Sequence, residues 1–263
     1  MGGQPKQGAP RLCTYDIESS FNIGGYFGRP YDANISKVIQ RFYVFGFAYK
    51  YMDERTVRTC YIWDFPLYKQ DPRNDIEVVK KWQEVMAGVD YRIGHNSNSF
   101  DNQIMRGRVA IHRLPLQSEP ENIDTLRMAK RVGRYDSYKL DDLGEMFGLG
   151  RKLHTDADLW WDCMQGVEKQ MKRMVTYNKR DVALTEKLYK FLMQYDPTAG
   201  GHRNRANIAE RPGACPYCGV SGFMQSAGWK YTSISRYRQF MCGNCHRKSR
   251  SRTADKTDKP EYV

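Results

Sequence analysis

Residues 11–18, RLCTYDIE, combine an apolar run with two carboxylates at its end. Residues 11–16 have the composition of a β-strand that enters a site. Side chains alternate along a strand, so Asp16 and Glu18 point to the same face. Two adjacent like charges are stabilised by a cation between them, and carboxylate oxygens suit Mg²⁺ or Mn²⁺. Taken alone, such a pair is more often two solvated surface acids.

A second acidic element lies at residues 94–101, GHNSNSFD. An apolar strand ends at Gly94, a polar loop follows, and Asp101 stands in the first turn of a predicted helix. The alternative role for Asp101 is structural, because the helix dipole favours an acid at this position.

A third element, residues 177–181 (YNKRD), falls within another predicted helix. Residues four apart on a helix share a face, so Tyr177 and Asp181 can point into one cleft. The alternative is a tyrosine packed in the core and an aspartate that pairs with Lys179 or Arg180.

The three elements follow one another as D-I-E, N-x-x-x-F-D and Y-x-x-x-D. In this order they resemble the DEDD superfamily of 3′→5′ exonucleases. The tyrosine points to the DEDDy subclass, and the sequence is similar to the proofreading exonuclease domains of family B DNA polymerases. The match spans roughly residues 11–195. Residues 137–152 (SYKLDDLGEMFGLGRK) are similar to a segment that often precedes the third motif.

The resemblance implies a ribonuclease H-like α/β fold, with a mixed sheet and flanking helices, and phosphodiester hydrolysis with two Mg²⁺ or Mn²⁺ ions. Two such ions generate hydroxide and relieve charge on the leaving oxygen. The implied ligands of the first ion are Asp16, Glu18 and Asp181. Asp16 would be shared with the second ion, which Asp101 would support.

The resemblance also assigns roles around the metals. Tyr177 would orient the attacking water or help to deprotonate it. Ile17 and Phe100 would pack near the terminal nucleotide, and Asn96 would contact the substrate. Ile17 and Phe100 could equally be core residues.

Periodicity predicts the other elements of this domain, residues 1–196. Strands are expected at 42–51, 56–63 and 90–94, and residues 123–129 read as a strand running into a helix. Helices are expected at 75–87, 99–111, 140–147, 167–173 and 176–195. The long loop at 20–34 carries Phe21, Tyr26, Phe27, Arg29 and Tyr31. These side chains can stack on exposed bases, and an ordinary structured loop is the equal alternative.

Four of the seven cysteines form two C-x-x-C pairs, Cys215 with Cys218 and Cys242 with Cys245. Two such turns can close a tetrahedral site, and four thiolates leave no open position, so a structural Zn²⁺ is expected. A disulfide or redox pair is the alternative, and His202 and His246 are possible extra ligands. The expected organisation is a linker at 197–213, a β zinc ribbon at 214–247 and a disordered tail at 248–263.

The net charge of +12 favours a polyanionic partner. Residues 196–263 hold 12 Lys or Arg and 5 Asp or Glu, so this quarter of the chain carries +7 of the excess. Within it, bases and aromatic residues interleave at Trp229, Lys230, Tyr231, Arg236, Tyr237, Arg238 and Phe240. This composition suits the gripping of single strands, and equally the docking of a polymerase or another replication protein.

These observations predict a stand-alone 3′→5′ exonuclease acting on single-stranded nucleic acid, with DNA favoured over RNA. An RNA 3′-end exonuclease and a non-catalytic nucleic-acid-binding or replication accessory protein are the alternatives. A cytoplasmic protein with no membrane partner is expected, since neither a secretory signal nor a run of about 18 apolar residues is visible.

Overall fold

The computed structural model describes residues 10–29, 34–196, 213–233, 235–251 and 253–255. These residues divide into two compact units. Arg11–Met193 forms one unit, and the described part of Gln194–Val263 belongs to the other. Nearly all of the expected linker at 197–213 lies outside the described residues, as do Tyr31 and His202.

The described part of the first unit contains seven strands and six α-helices. The strands are β1 Leu12–Ser19, β2 Ile23–Gly25, β3 Lys37–Gln40, β4 Val44–Tyr51, β5 Arg58–Tyr61, β6 Tyr91–Gly94 and β7 Glu121–Asp124. The helices are α1 Ile76–Ala87, α2 Asp101–Ile111, α3 Thr125–Val132, α4 Leu140–Met146, α5 Ala157–Met164 and α6 Glu168–Leu192. Short 3₁₀ turns lie at Ile62–Asp64 and Pro66–Lys69. No helix of the described chain combines the length and apolar character needed to cross a membrane.

Five strands form one mixed sheet in the order β5-β4-β1-β6-β7. The central strand β1 pairs antiparallel with β4 and parallel with β6. At the edges, β5 pairs antiparallel with β4, and β7 pairs parallel with β6. This sheet and its flanking helices confirm the predicted α/β class, and they place the D-I-E motif in the middle of the sheet.

Alternation along β1 divides its side chains between two layers. Tyr15 meets Trp82 of α1 with ring centroids 4.8 Å apart, and Trp82 also contacts Phe47 of β4. Asp16 faces the other way, toward α6, which packs on β1, β4 and β6. Fully burying a large apolar side chain stabilises the fold by about 1.5–3 kcal/mol. The register that buries Tyr15 therefore also commits Asp16 and Glu18 to the α6 face.

The helical region near the end of this unit differs from the sequence prediction. Two helices were expected at 167–173 and 176–195, whereas the structure has the single helix α6. Met174 at the expected break is fully buried, so it extends the apolar face of the helix instead of interrupting it. The sequence prediction did not include α5, β2 or β3.

The second unit contains a three-stranded antiparallel sheet: β8 Met224–Tyr231, β9 Arg236–Cys242 and β10 Lys248–Arg250, in the order β10-β9-β8. A β-ribbon was predicted for the first two strands. The third lies in the segment expected to be a disordered tail, so that expectation does not hold at Lys248–Arg250. Backbone pairing with β9 provides hydrogen-bond partners that a polar composition does not reveal.

Candidate active site

Three acidic side chains meet where β1 passes beneath α6. Asp16 and Glu18 project from one face of β1, and Asp181 reaches them from α6. Each offers a carboxylate oxygen, and these oxygens lie within 4.8 Å of one another. Glu18 and Asp181 are buried and Asp16 is partly buried. The structure therefore brings together acids that are up to 165 residues apart in the sequence.

Asp101 approaches these acids along the edge of β1 that pairs with β6. Strand β6 pairs with β1 only as far as Thr14, so the later backbone N–H groups on this side have no strand partner in β6. The Ile17 N–H donates to Asp101 Oδ1 at 3.2 Å, and Asp101 is almost completely buried at the start of α2. Asp101 thus lies beside the three acids, although it is not part of the cluster within 4.8 Å.

The electrostatics of the four acids favour a positively charged partner. Burial, followed by the charge of Asp181, raises the pKa of Glu18 to about 8, and burial raises the pKa of Asp101 to about 7. Burial followed by Asp181 and Glu18 also raises the pKa of Asp16. Asp181 Oδ1 is buried without a hydrogen-bond partner. Crowded carboxylates with an unsatisfied oxygen fit a hard divalent cation.

Lys152 places a positively charged ammonium group next to the acidic cluster. Its Nζ lies 2.5 Å from Asp181 Oδ2 and 4.9 Å from the centre of the Tyr177 ring. Burial by itself would lower the pKa of Lys152, but Asp181 and Tyr177 raise it overall, so the ammonium stays charged. The sequence prediction did not single out Lys152, although it ends the segment 137–152 that is similar to one often preceding the third motif.

Tyr177 and Trp160 form the wall of the site beside α6. Tyr177 lies one helical turn before Asp181, and its ring meets Trp160 of α5 edge-on with centroids 5.6 Å apart. Burial and Asp181 raise the pKa of the Tyr177 hydroxyl, so it stays protonated near neutral pH. Trp160 Nε1 donates to Glu18 Oε2 at 3.1 Å. The sequence reading missed Trp160, which belongs to the unassigned helix α5.

Asn178 positions Asp16 through a short chain of hydrogen bonds. Tyr61 Oη donates to Asn178 Oδ1 at 2.9 Å, and Asn178 Nδ2 donates to Asp16 Oδ2 at 2.7 Å. A Cβ at Gly46 would collide with the Tyr61 ring and the Cys60 carbonyl, so only glycine leaves room for this ring. Asn178 was inside the quoted motif YNKRD, but its polar side chain gave no signal that it would be buried.

The predicted substrate residues line the same cleft. Ile17 is buried, whereas Phe100 is 47% exposed, so Phe100 is not a core residue. Both border a cleft of about 250 Å³ that also contains Asp16, Glu18 and Asp181. Larger clefts adjoin it on either side. Each shares two residues with it: Ser19 and Phe100 on one side, Asp16 and Lys152 on the other.

Asn96 stands in the second of these neighbouring clefts. It has a left-handed backbone with φ of 58°, and its N–H donates to Asp124 Oδ1 at 3.0 Å. In the loop at 20–34, Phe27 is 89% exposed and Tyr26 is 46% exposed. These rings are open to solvent, as stacking on bases would require.

The four C-x-x-C cysteines come together in the second unit. Cys215 Sγ and Cys245 Sγ are 3.7 Å apart, as are Cys218 Sγ and Cys242 Sγ, and all four lie within 4.8 Å of one another. A disulfide needs about 2.05 Å. Tetrahedral coordination with metal–sulfur bonds of about 2.3 Å separates the sulfurs by about 3.8 Å. The geometry therefore fits a four-thiolate metal site, and among the described residues no histidine joins this group.

Comparison with known proteins agrees with this architecture. Residues 35–193 match the RNase_H superfamily, and since this is more than half of the chain, the protein belongs to that superfamily. The matched region begins after β1, so Asp16 and Glu18 precede it. The fold is also similar to the family B DNA polymerase of the hyperthermophilic archaeon Pyrobaculum calidifontis, with a TM-score of 0.52 at 16% identity. The similarity covers 89% of this chain and 32% of that polymerase. Curated protein sequences gave no match.

Proposed function

We propose that this protein is a 3′→5′ exonuclease that hydrolyses phosphodiester bonds at the 3′ ends of single-stranded DNA. One observation carries the proposal: Asp16, Glu18 and Asp181 meet within 4.8 Å in a cleft that Tyr177 also lines. Asp101 contacts the backbone between the first two acids. Membership of a nuclease superfamily supports the hydrolytic chemistry. The 3′→5′ direction rests on the resemblance of the three motifs to the DEDDy exonucleases.

The acids would hold two Mg²⁺ or Mn²⁺ ions. Asp16, Glu18 and Asp181 would be the ligands of the first, Asp16 would be shared with the second, and Asp101 would support the second. When bound, such ions make hydroxide available near neutral pH and neutralise the developing charge on the leaving oxygen.

The surrounding side chains would prepare the site for that reaction. Asn178 and Trp160 hold the carboxylates of Asp16 and Glu18 in place through the hydrogen bonds described above. Tyr177, which keeps its proton, would orient the attacking water as a hydrogen-bond partner. Lys152 would place its ammonium where the negatively charged phosphate of the substrate arrives.

The shape of the surface supports a strand as substrate. The acidic cleft shares lining residues with two larger clefts, of about 490 Å³ and about 720 Å³. Exposed Phe100 lines both the acidic cleft and the larger of these two. Aromatic side chains stack on unpaired bases, so this arrangement suits a single strand.

We also infer that the four cysteines of the second unit bind one structural Zn²⁺. The sulfur separations fit tetrahedral coordination, and thiolates are the ligands that Zn²⁺ most often uses in closed sites. A three-stranded sheet of this size has few buried side chains, so metal binding would supply much of its folding free energy.

The nuclease proposal is tested with 5′-labelled single-stranded DNA in the presence of Mg²⁺ or Mn²⁺. We expect a ladder of products that shorten by one nucleotide from the 3′ end. Asp16→Asn should abolish this ladder, because a side-chain amide binds a cation poorly. The amide oxygen can still accept the hydrogen bond from Asn178, so the fold of the site should be preserved. Glu84→Gln, an exposed carboxylate on α1, is the matched control and should cleave normally.

Three outcomes would contradict the proposal. Immediate release of the labelled mononucleotide would show the opposite polarity, and cutting of circular single strands would show an endonuclease. Binding without cleavage under any divalent cation would favour a non-catalytic binding protein. An RNA strand of the same sequence, tested in parallel, decides the sugar preference.

A further inference from the structure

The sheet of the second unit places aromatic and basic side chains on one face. In an antiparallel pair, directly opposed residues project to the same side. Trp229 lies opposite Arg238, and Tyr231 lies opposite Arg236. Because residues two apart along a strand also share a face, these four side chains form one surface, here called the Trp229 face.

A β-bulge makes this arrangement possible. Ser226 pairs with Phe240 and Trp229 pairs with Arg238, so two residues of β8 stand opposite one residue of β9. Gly228, with φ of 82°, adopts the left-handed conformation that such a bulge accommodates best in glycine. Without the bulge, continued alternation from Ser226 would place Gly228 and Lys230 on this face and turn Trp229 away from it.

The side chains of the Trp229 face are in contact with one another. The Arg236 guanidinium lies 4.6 Å from the centre of the Trp229 ring, and the Arg238 guanidinium lies 5.8 Å from it. Tyr231, at the end of the same face, is 66% exposed. Two positive charges therefore flank one indole, next to an exposed phenol ring.

The charge of this unit is strongly one-sided. Between residues 213 and 255, the described chain has six Lys or Arg residues and one acidic residue, Asp255. Asp255 forms an ion pair with Arg236 at 3.1 Å. A surface with this balance attracts a polyanion, and its field extends over about 8 Å at physiological ionic strength.

We propose that the Trp229 face is a binding site for single-stranded nucleic acid. A base stacked on Trp229 or Tyr231 would bring its phosphate to the guanidinium of Arg238. Base–aromatic stacking tolerates any base, so the site would bind single strands without sequence specificity. Protein docking fits less well, because the exposed ring of Tyr231 and the partly exposed ring of Trp229 are accompanied by an excess of positive charge. The site belongs to the second unit alone and is independent of the proposed nuclease activity.

The test measures binding of a 5′-fluorescein-labelled 30-nucleotide single strand to the full chain by fluorescence anisotropy. Mg²⁺, Mn²⁺ and chelators are left out, so that the strand is not cleaved and bound zinc is retained. Trp229→Ala should weaken binding about tenfold or more, since stacking is worth about 1–3 kcal/mol per base. Trp229→Phe should retain most of the affinity.

A charge-matched pair separates stacking from general attraction. Arg238→Gln on the Trp229 face and Arg250→Gln, which lies over Tyr237 on the other face, each remove one positive charge. We expect the larger loss from Arg238→Gln. Equal losses from both, with no effect of Trp229→Ala, would overturn the proposal in favour of diffuse electrostatics. If Trp229→Ala loses its zinc and unfolds, the test rests on two other results. Trp229→Phe should retain most of the affinity, and Arg238→Gln should lose more affinity than Arg250→Gln.

Unchanged nucleic-acid binding in all of these variants would also overturn the proposal, with docking of a protein as the alternative use of this face.

Discussion

Replacing Glu18 by glutamine should stabilise the metal-free protein while it abolishes cleavage. The substitution keeps the size of the side chain and its ability to accept the hydrogen bond from Trp160 Nε1. It removes one of three negative charges whose oxygens lie within 4.8 Å of one another. Like charges this close together repel one another, so in the absence of a bound cation they oppose folding.

The size of the effect follows from the distances. Two unit charges 4.8 Å apart repel by about 3 kcal/mol at an effective dielectric constant of about 20. Part of this gain is lost, because Lys152 near Asp181 attracts the Glu18 carboxylate as well. We therefore expect Glu18→Gln to raise the free energy of unfolding by about 2 kcal/mol at pH 9.

The effect should depend on pH with a definite sign. The pKa of Glu18 is raised from 4.5 in the unfolded chain to about 8 in the folded protein. The folded state therefore binds this proton more tightly, and wild-type stability falls as the pH rises from about 4.5 to about 8. At pH 6 Glu18 is already largely protonated in the folded protein. Part of the loss is nevertheless present at pH 6, because Glu18 is ionised in the unfolded chain, so the gain from Glu18→Gln should be smaller at pH 6 than at pH 9.

The assay is urea unfolding of metal-free protein at pH 6 and pH 9, followed by tryptophan fluorescence. Strong chelators are left out, so that any metal bound by the cysteines is retained. Added Mn²⁺ should stabilise the wild type and leave Glu18→Gln nearly unchanged. A gain that is equal at both pH values, or no gain at pH 9, would refute the reasoning that crowded charges at Glu18 oppose folding.

Two further predictions concern Lys152 and the cysteine site. Lys152→Met should lower kcat for cleavage about tenfold or more, because it removes the ammonium next to Asp181 that would face the substrate phosphate. The control Lys187→Met, on the exposed surface of α6, should cleave normally. An unchanged kcat in Lys152→Met would contradict this role. Cys218→Ser should lower the zinc content measured by mass spectrometry and weaken binding of long strands, while cleavage of short oligonucleotides persists. Equal loss of cleavage on short and long substrates would instead tie this cysteine to catalysis.

Local patterns in the sequence were sufficient to predict much of the fold and the main acids. Alternation along the first strand put Asp16 and Glu18 on one face, and the four-residue spacing put Tyr177 above Asp181. The two C-x-x-C pairs predicted a four-cysteine cluster, and the sulfurs do converge. Each of these inferences depends on residues close together in the chain, whose relative directions are set by the period of a helix, strand or turn.

The partners of those acids could be found only in the folded protein. Trp160 is 142 residues from Glu18, and Asn178 is 162 residues from Asp16. The alternation of side chains along a strand does not indicate which distant side chain will contact it. That choice depends on where the intervening loops return α5 and α6 to the sheet.

The same division applies to the second unit. The sequence determined the interleaving of bases and aromatic rings between the cysteine pairs, whereas the structure decided which of them share a face. Simple alternation places Ser226 and Trp229 on opposite sides, and the bulge at Gly228 brings them to the same side. A bulge depends on pairing with a second strand, so it has no signature in the period of one strand alone. Sequence periodicity thus determined the elements and their chemistry, while pairing between distant segments decided which side chains meet.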